Sequence, residues 1–429
     1  MYLVIGPIGL DMQHSKLVSN PLLFAAVALI LFAAIAVPAS AADLTVGANG
    51  QFKTIQQAVD AANSGDTVRV APGTYTENVV VNKPLTITAA SARPTVRAAD
   101  ASKDVFLLTS SGVRIDGLTL SGGASGVQLQ NTSKCVVTNI VARDNVRAVY
   151  LSHSAENEIS DSYLAGNGYG VYGDYASSNT ISTNIATGEN GSGNTLGDGI
   201  FLNHGDSNTV THNNLSANHV FGISLYNSPR NIISNNTISD NDRVGVRLGP
   251  GSNDNTLTFN TIARNSLIPQ PVAQDFPASG ILIVSATGNR IYLNSFISQP
   301  NAVIGASAAI LNSPEKMVYT YNGVERTGYM SNYYSDYKGT DSNGTGLGDT
   351  PSAYGDKYPL VQTVASYGNI IPASAVTPTP SSTATSTSTS TSGNQSASGT
   401  KLPGFEVASA VAGLTIAVLM LLGRKNRAR

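Results

Sequence analysis

The chain has no tryptophan, one cysteine, five histidines, five methionines and a charged fraction of only 12%. A single cysteine, Cys135, excludes an internal disulfide framework, so stability has to come from buried apolar surface. With 25 Lys and Arg against 27 Asp and Glu, the formal net charge is -2. That balance offers neither a basic surface for nucleic acid nor an acidic tail, and no nucleic-acid partner is expected.

What the chain has is a repeat. Segments opening at Asn157, Asn179, Asn208, Asn231, Asn255 and Asn289 share one grammar at a step of about 22 residues. Two residues on stand Ile159, Ile181, Val210, Ile233, Leu257 and Ile291, all apolar. Five on come Ser162, Asn184, Asn213, Asn236, Asn260 and Asn294, and seven on Leu164, Ala186, Leu215, Ile238, Ile262 and Phe296. Later in each unit a Gly precedes two apolar residues at alternate positions, as in Gly199-Ile200-Phe201-Leu202 and Gly222-Ile223-Ser224-Leu225. A period of two means strand. Each unit is too short to bury its own apolar face, so neighbours stack around a shared core, three short strands per coil. Identical positions then lie one strand spacing apart, about 4.8 Å, and the Asn columns become amide ladders at the corners. Cys135 fills the opening Asn position of the preceding copy, as a small buried structural residue.

Units of the form Asn-x-Ile-x-x-Asn-x-Ile, as from Asn231 to Ile238, resemble the NosD-like (periplasmic copper-binding) right-handed β-helix family over residues 112–360. The expected fold class is all-β: a right-handed parallel β-helix of pectin-lyase-like type with a short N-terminal capping helix. The helix is expected from Thr54, whose spacing to Gln57 fits a capping box, with Ile55, Ala58, Val59 and Ala62 on its inner face. Thr67 to Val70, Asn78 to Val81 and Leu85 to Thr88 read as strands, and Ala71 to Tyr75 as a turn.

The ends differ from the repeat. Residues 1–41 carry an apolar run followed by Pro38-Ala39-Ser40-Ala41-Ala42, a secretory signal with Met12 as a second candidate start. Residues 42–111 form the cap and first coils, 112–300 the repeat domain, and 301–370 a closing segment. Residues 371–401, rich in Ser, Thr and Pro, read as a glycosylated stalk, and 402–429 as a membrane anchor with a basic end on the cytoplasmic side. Pro403-Gly404-Phe405 before that apolar run resembles the PGF-CTERM sorting signal of archaeal surface proteins. The resemblance implies removal of the tail and its replacement by a lipid. Insertions at 188–198 and 266–279 are expected as surface loops.

Four places hold candidate chemistry. The family name raises copper, but of His153, His204, His212 and His219 only His153 and His204 share a column, two coils or roughly 10 Å apart and too far to share one ion; no methionine cluster accompanies them, and copper wants grouped imidazole and sulfur. Copper is therefore not expected. Residues for sugar chemistry could be drawn from Asp174, Asp198, His204 and Asp206, and separately from Asp240, Asp242 and Arg243, although most lie where turns favour Asp anyway. On the outward face of the Gly-motif strands, Tyr150, Tyr172 and Phe201 stack on consecutive coils with Asp174 and Asn203 two residues along. That reads as a flat sugar-binding platform, or as a cross-strand aromatic ladder that stiffens the sheet or packs under the Tyr-rich C-terminal segment. Asp341, Asn343, Thr345 and Asp349 keep calcium-loop spacing, with Thr345 replacing an acidic position; a plain Gly-rich turn is the other reading.

Together these readings describe a non-enzymatic cell-surface β-helix. It would be anchored in the membrane and would serve as a structural or glycan-binding element, with envelope glycans or surface-layer proteins as partners. A carbohydrate-active enzyme and a copper maturation factor are the alternatives.

Overall fold

The computed structural model describes residues 41–191, 197–266, 279–298, 300–304 and 309–376. The expected signal peptide up to Ser40, the stalk from Thr377 and the anchor with Pro403, Gly404 and Phe405 lie outside the described residues. Among those described, no helix is long and apolar enough to cross a membrane.

The chain winds as a right-handed parallel β-helix. Its three sheets hold 12, 11 and 10 strands, and within each one every strand pairs in parallel with the equivalent strand one coil away. One coil shows the plan: Glu158–Ser160 lies in the first sheet, Tyr163–Ala165 in the second, and the longer Tyr169–Asp174 in the third. The corners require left-handed backbone at fixed places, in this coil at His153, Glu156, Asp161 and Gly166. These positions are mostly polar or Gly, because short polar side chains and Gly tolerate that region best. The core is the set of inward columns. Ile159, Ile181, Val210, Ile233 and Leu257 are each fully buried, as are Leu164, Leu215, Ile238 and Ile262.

Both expected Asn ladders form. Along the first, each backbone N–H donates to the Oδ1 of the next coil at 2.7–2.9 Å, from Cys135 through Asn157, Asn179, Asn208, Asn231 and Asn255 to Asn289. Along the second, Ser162, Asn184, Asn213, Asn236, Asn260 and Asn294 donate in the same way, and Asn332 of the closing segment is the last acceptor. A third ladder, absent from the sequence reading, runs through Asn145, Asn167, Glu189, Asn218, Asn241 and Asn265 to Ser298. It stands ten residues after the opening positions from Cys135 to Asn255 and nine after Asn289, with Glu189 and Ser298 interrupting the run of Asn.

The N-terminal end is closed by the helix Ile55–Ala61, with Thr54 Oγ1 accepting from Gln57 N at 3.2 Å. Glu77 adds a cap from outside the helix, its carboxylate accepting from Ile55 N and Gln56 N at 2.9 and 3.0 Å. Among the strands not expected are two at this end. Asp43–Val46 precedes the helix and starts the first sheet, and Thr74–Thr76 joins the second sheet where a turn was read. Tyr75 was misread because a Pro-Gly pair stands just before it; its buried ring fixes the strand. At the other end, Met317–Tyr321, Val324–Gly328 and Gly368–Pro372 form a small antiparallel sheet.

Candidate functional site

The third sheet carries the site. Its strands alternate between the core, as at Val149, Val171 and Ile200, and the outside, where Tyr150, Tyr172 and Phe201 stand in register on three consecutive coils. The sequence places these residues correctly, but the rings do not form a flat platform. Tyr150–Tyr172 and Tyr172–Phe201 each have centroids 5.3 Å apart with planes at 66° and 67°. Rings one strand apart relieve face-to-face repulsion of their π-clouds by tilting edge to face, so the row presents edges and faces in turn.

Two residues unnoticed in the sequence complete it. Tyr169, itself buried, packs edge-on to Tyr172 at 5.1 Å and stacks on Phe201 at 5.9 Å. The Arg147 guanidinium sits over Tyr150 at 4.6 Å and over Tyr172 at 5.3 Å. Both belong to one column, Arg147, Tyr169 and Asp198, at the start of the same strands. Asp174 and Asn203 meet as expected, Asn203 Nδ2 donating to Asp174 Oδ1 at 2.8 Å. The half-buried row thus has a cation at one end and a polar pair along its rim. The Tyr-rich C-terminal residues gather elsewhere: Tyr319, Tyr321 and Tyr367 pack with Leu293 and Leu360.

Asp198 is buried beside this row, with its Oδ1 accepting from Phe221 N at 3.2 Å. Burial pushes its carboxyl up to about 8, opposed by that N–H and by Arg247. The other sequence candidates serve corner pairs. Asp206 pairs with Arg230, Asp240 takes Arg264 through two bonds of 2.8 and 2.7 Å, and Asp242 meets His219 Nδ1 at 3.0 Å. Each joins one coil to the next, and they do not converge on a common point.

The column expected for His153 and His204 forms, and Tyr175, which the sequence did not single out, fills the coil between them. His153, Tyr175 and His204 occupy the same corner on three coils, centroids 5.0 and 4.5 Å apart and planes within 15° and 6° of parallel. All three are left-handed, which turns their rings outward over one another. This arrangement bears on copper. The Tyr175 ring stands between the two imidazoles, His212 Nδ1 is 2.9 Å from Thr211 Oγ1, and His219 is held by Asp242. Cys135 is sealed in the core, where burial raises its thiol, and Met317 and Met330 are buried in the closing segment. Among the described residues no three His, Cys, Asp or Glu side chains are grouped for a metal. This donor set does not fit a copper centre.

In the turn at Asp341, the carboxylate accepts from Thr345 N at 2.8 Å and from Gly346 N at 2.7 Å, while Asp349 Oδ2 accepts from Ser342 N and Oγ and from Thr340 Oγ1. Thr345 Oγ1 donates to Asn343 Oδ1 at 3.0 Å. A calcium ion here would take oxygens that already accept from the turn's own N–H and O–H groups.

Over 90 residues the chain is 33% identical to a protein named cell surface glycoprotein from Methanothermus fervidus, which covers 20% of this chain and 15% of that protein. The chain therefore spans only a small part of that relative. An alginate lyase from Paenibacillus sp. FPU-7 is 17% identical, with a TM-score of 0.44 over 62% of this chain and 99% of the lyase. The A-module of the mannuronan C-5 epimerase AlgE4 of Azotobacter vinelandii is 14% identical, with a TM-score of 0.41 over 61% of this chain and 93% of the module. The sequence profile of one family matches residues 59–198 and 192–339, most of the described coils, and on that match the chain belongs to the periplasmic copper-binding protein (NosD) family.

Proposed function

We propose that this chain is a non-enzymatic cell-surface β-helix whose third sheet contacts envelope glycans through Tyr150, Tyr172 and Phe201, with Asp174 and Asn203 orienting the sugar. The observation that carries it is the half-buried aromatic row rimmed by a hydrogen-bonded carboxylate–amide pair. Sugars are bound by apolar faces stacked on ring edges and faces together with a few placed polar groups. A relative named as a cell surface glycoprotein, and a family named as periplasmic, support a place outside the cytoplasm. Pro403-Gly404-Phe405 ahead of an apolar run with a basic end supports attachment to the membrane, with glycans and surface-layer proteins as neighbours. Recovery of the peptide through Arg429 from membrane-extracted mature protein would defeat processing of that tail.

The test of binding is Tyr172→Ala, measured for melting temperature and for retention on immobilised envelope polysaccharide. Removing the middle ring costs about 1 kcal/mol of ring contacts. Most of the retention should go with it. Lowered stability with unchanged retention would leave the row a purely structural ladder.

A further inference from the structure

We infer that Asn343 is an acceptor for N-linked glycosylation. The inference rests on the surface location proposed above. Asn-x-Ser/Thr triplets whose three residues are all described begin at Asn131, Asn214, Asn235 and Asn343. Such a triplet is used only where a transferase can reach it, hence on surface loops of exported chains.

The four differ in how the fold presents them. At Asn131, Asn214 and Asn235 the asparagine is exposed, but the middle residue is built into the solenoid. Thr132 is 3% exposed, Leu215 is 0% exposed in the core, and Asn236 is 1% exposed as a rung of the second ladder. Ser216 and Thr237, the last residues of two of these triplets, lie in strands of the second sheet. To enter a transferase these triplets would have to leave the sheet, breaking ladder bonds and uncovering core.

Asn343-Gly344-Thr345 needs no such opening. Asn343 and Gly344 are exposed, and an added Cβ at Gly344 would meet nothing within 4 Å. The turn is held by Asp341 and Asp349 and by Tyr319 Oη donating to Thr345 O at 2.9 Å. Thr345 Oγ1 donates to Asn343 Oδ1, which fixes the amide and leaves Nδ2 without a hydrogen-bond partner among the described residues. That nitrogen is the atom the chemistry needs.

The co-substrate is an oligosaccharide carried on a lipid phosphate. A bond forms between Asn343 Nδ2 and the anomeric carbon of the sugar, and the anomeric carbon–oxygen bond to phosphate breaks. The lipid phosphate leaves with the electron pair, and one Nδ2 proton passes to solvent. No oxidation or reduction is involved.

The test uses the full chain expressed in its own organism, followed by fractionation and mass analysis of the peptide spanning Asn343. In wild type that peptide should carry a sugar mass in the envelope fraction. Thr345→Ser, which keeps the hydroxyl, should retain it; Thr345→Ala and Asn343→Gln should lose it entirely. A bare Asn343 on protein recovered from the envelope overturns this proposal while leaving the surface reading intact. Protein found only inside the cell overturns the surface reading, and this inference with it.

Discussion

Glu189 holds a rung that asparagine fills on either side. It is fully buried, it accepts from Asn167 N and Nδ2, and its own N–H donates to Asn218 Oδ1. An amide in that place both donates and accepts. A carboxylate only accepts, whereas a neutral carboxyl does both. Burial pushes Glu189 from 4.5 up to about 8, opposed by the two bonds from Asn167. Because the folded value lies above the unfolded one, the protonated form stabilises the fold. That stability is complete below pH 4.5 and is lost as pH rises through about 8. Asp198, also raised to about 8, pulls in the same direction. Glu189→Gln supplies a permanent donor at the same rung, so it should flatten part of the pH profile. It should also be more stable than the wild type at neutral pH, by a margin that widens as pH rises from 4.5 toward about 8. Melting temperatures of both forms across that range check this; parallel profiles would mean Glu189 is not the titrating group.

At the scale of one coil, each ladder residue bonds to neighbours on both sides. Asn213 Oδ1 accepts from Asn184 N, while its Nδ2 donates to Ile181 O, Thr211 O and Asn236 Oδ1. Asn213→Ala leaves several of these buried groups unpaired, at about 1–3 kcal/mol each. It should cost clearly more than truncating an exposed neighbour such as Asn214. Ile233→Asn places a polar group in the sealed core column and forfeits about 1.5–3 kcal/mol of burial. Denaturant titration ranks the three, and an unaffected Ile233→Asn would mean the inward register is wrong. The columns at the opening Asn, at Ile233 and at Asn236 were readable because inward positions admit only one chemistry. Glu189 hid its ladder by breaking the Asn pattern, and Tyr75 hid its strand behind Pro72-Gly73. For the site, column positions identified Tyr150, Tyr172, Phe201 and the Asp174–Asn203 pair. Ring tilt, and the approach of Arg147 and Tyr169 from a second column, depend on side-chain packing that a repeat pattern does not encode.

For the whole molecule, a stack of coils is stable through its neighbours, and each end needs a lid. At the C-terminal end the lid is the closing segment. Asn332 takes the last rung of the second ladder, its Oδ1 accepting from Asn294 N at 3.1 Å, and Tyr334 stacks on Phe296 with centroids 5.4 Å apart. Asp356 and Leu360 hold Asn332 in turn, through Asp356 Oδ2 accepting from Asn332 N and Leu360 N donating to Asn332 O. Tyr334→Ala together with Asn332→Ala should therefore loosen the stack from that end only. Amide exchange should rise most in Asn289–Tyr292 and Ser295–Ile297, less in Thr256–Thr258, and little in Val79–Val81 under the N-terminal helix. The exchange rates should fall off coil by coil, because each interface feels only the next. A uniform rise along all three sheets would instead mean that the solenoid opens as one cooperative unit, with the lid stabilising every coil equally.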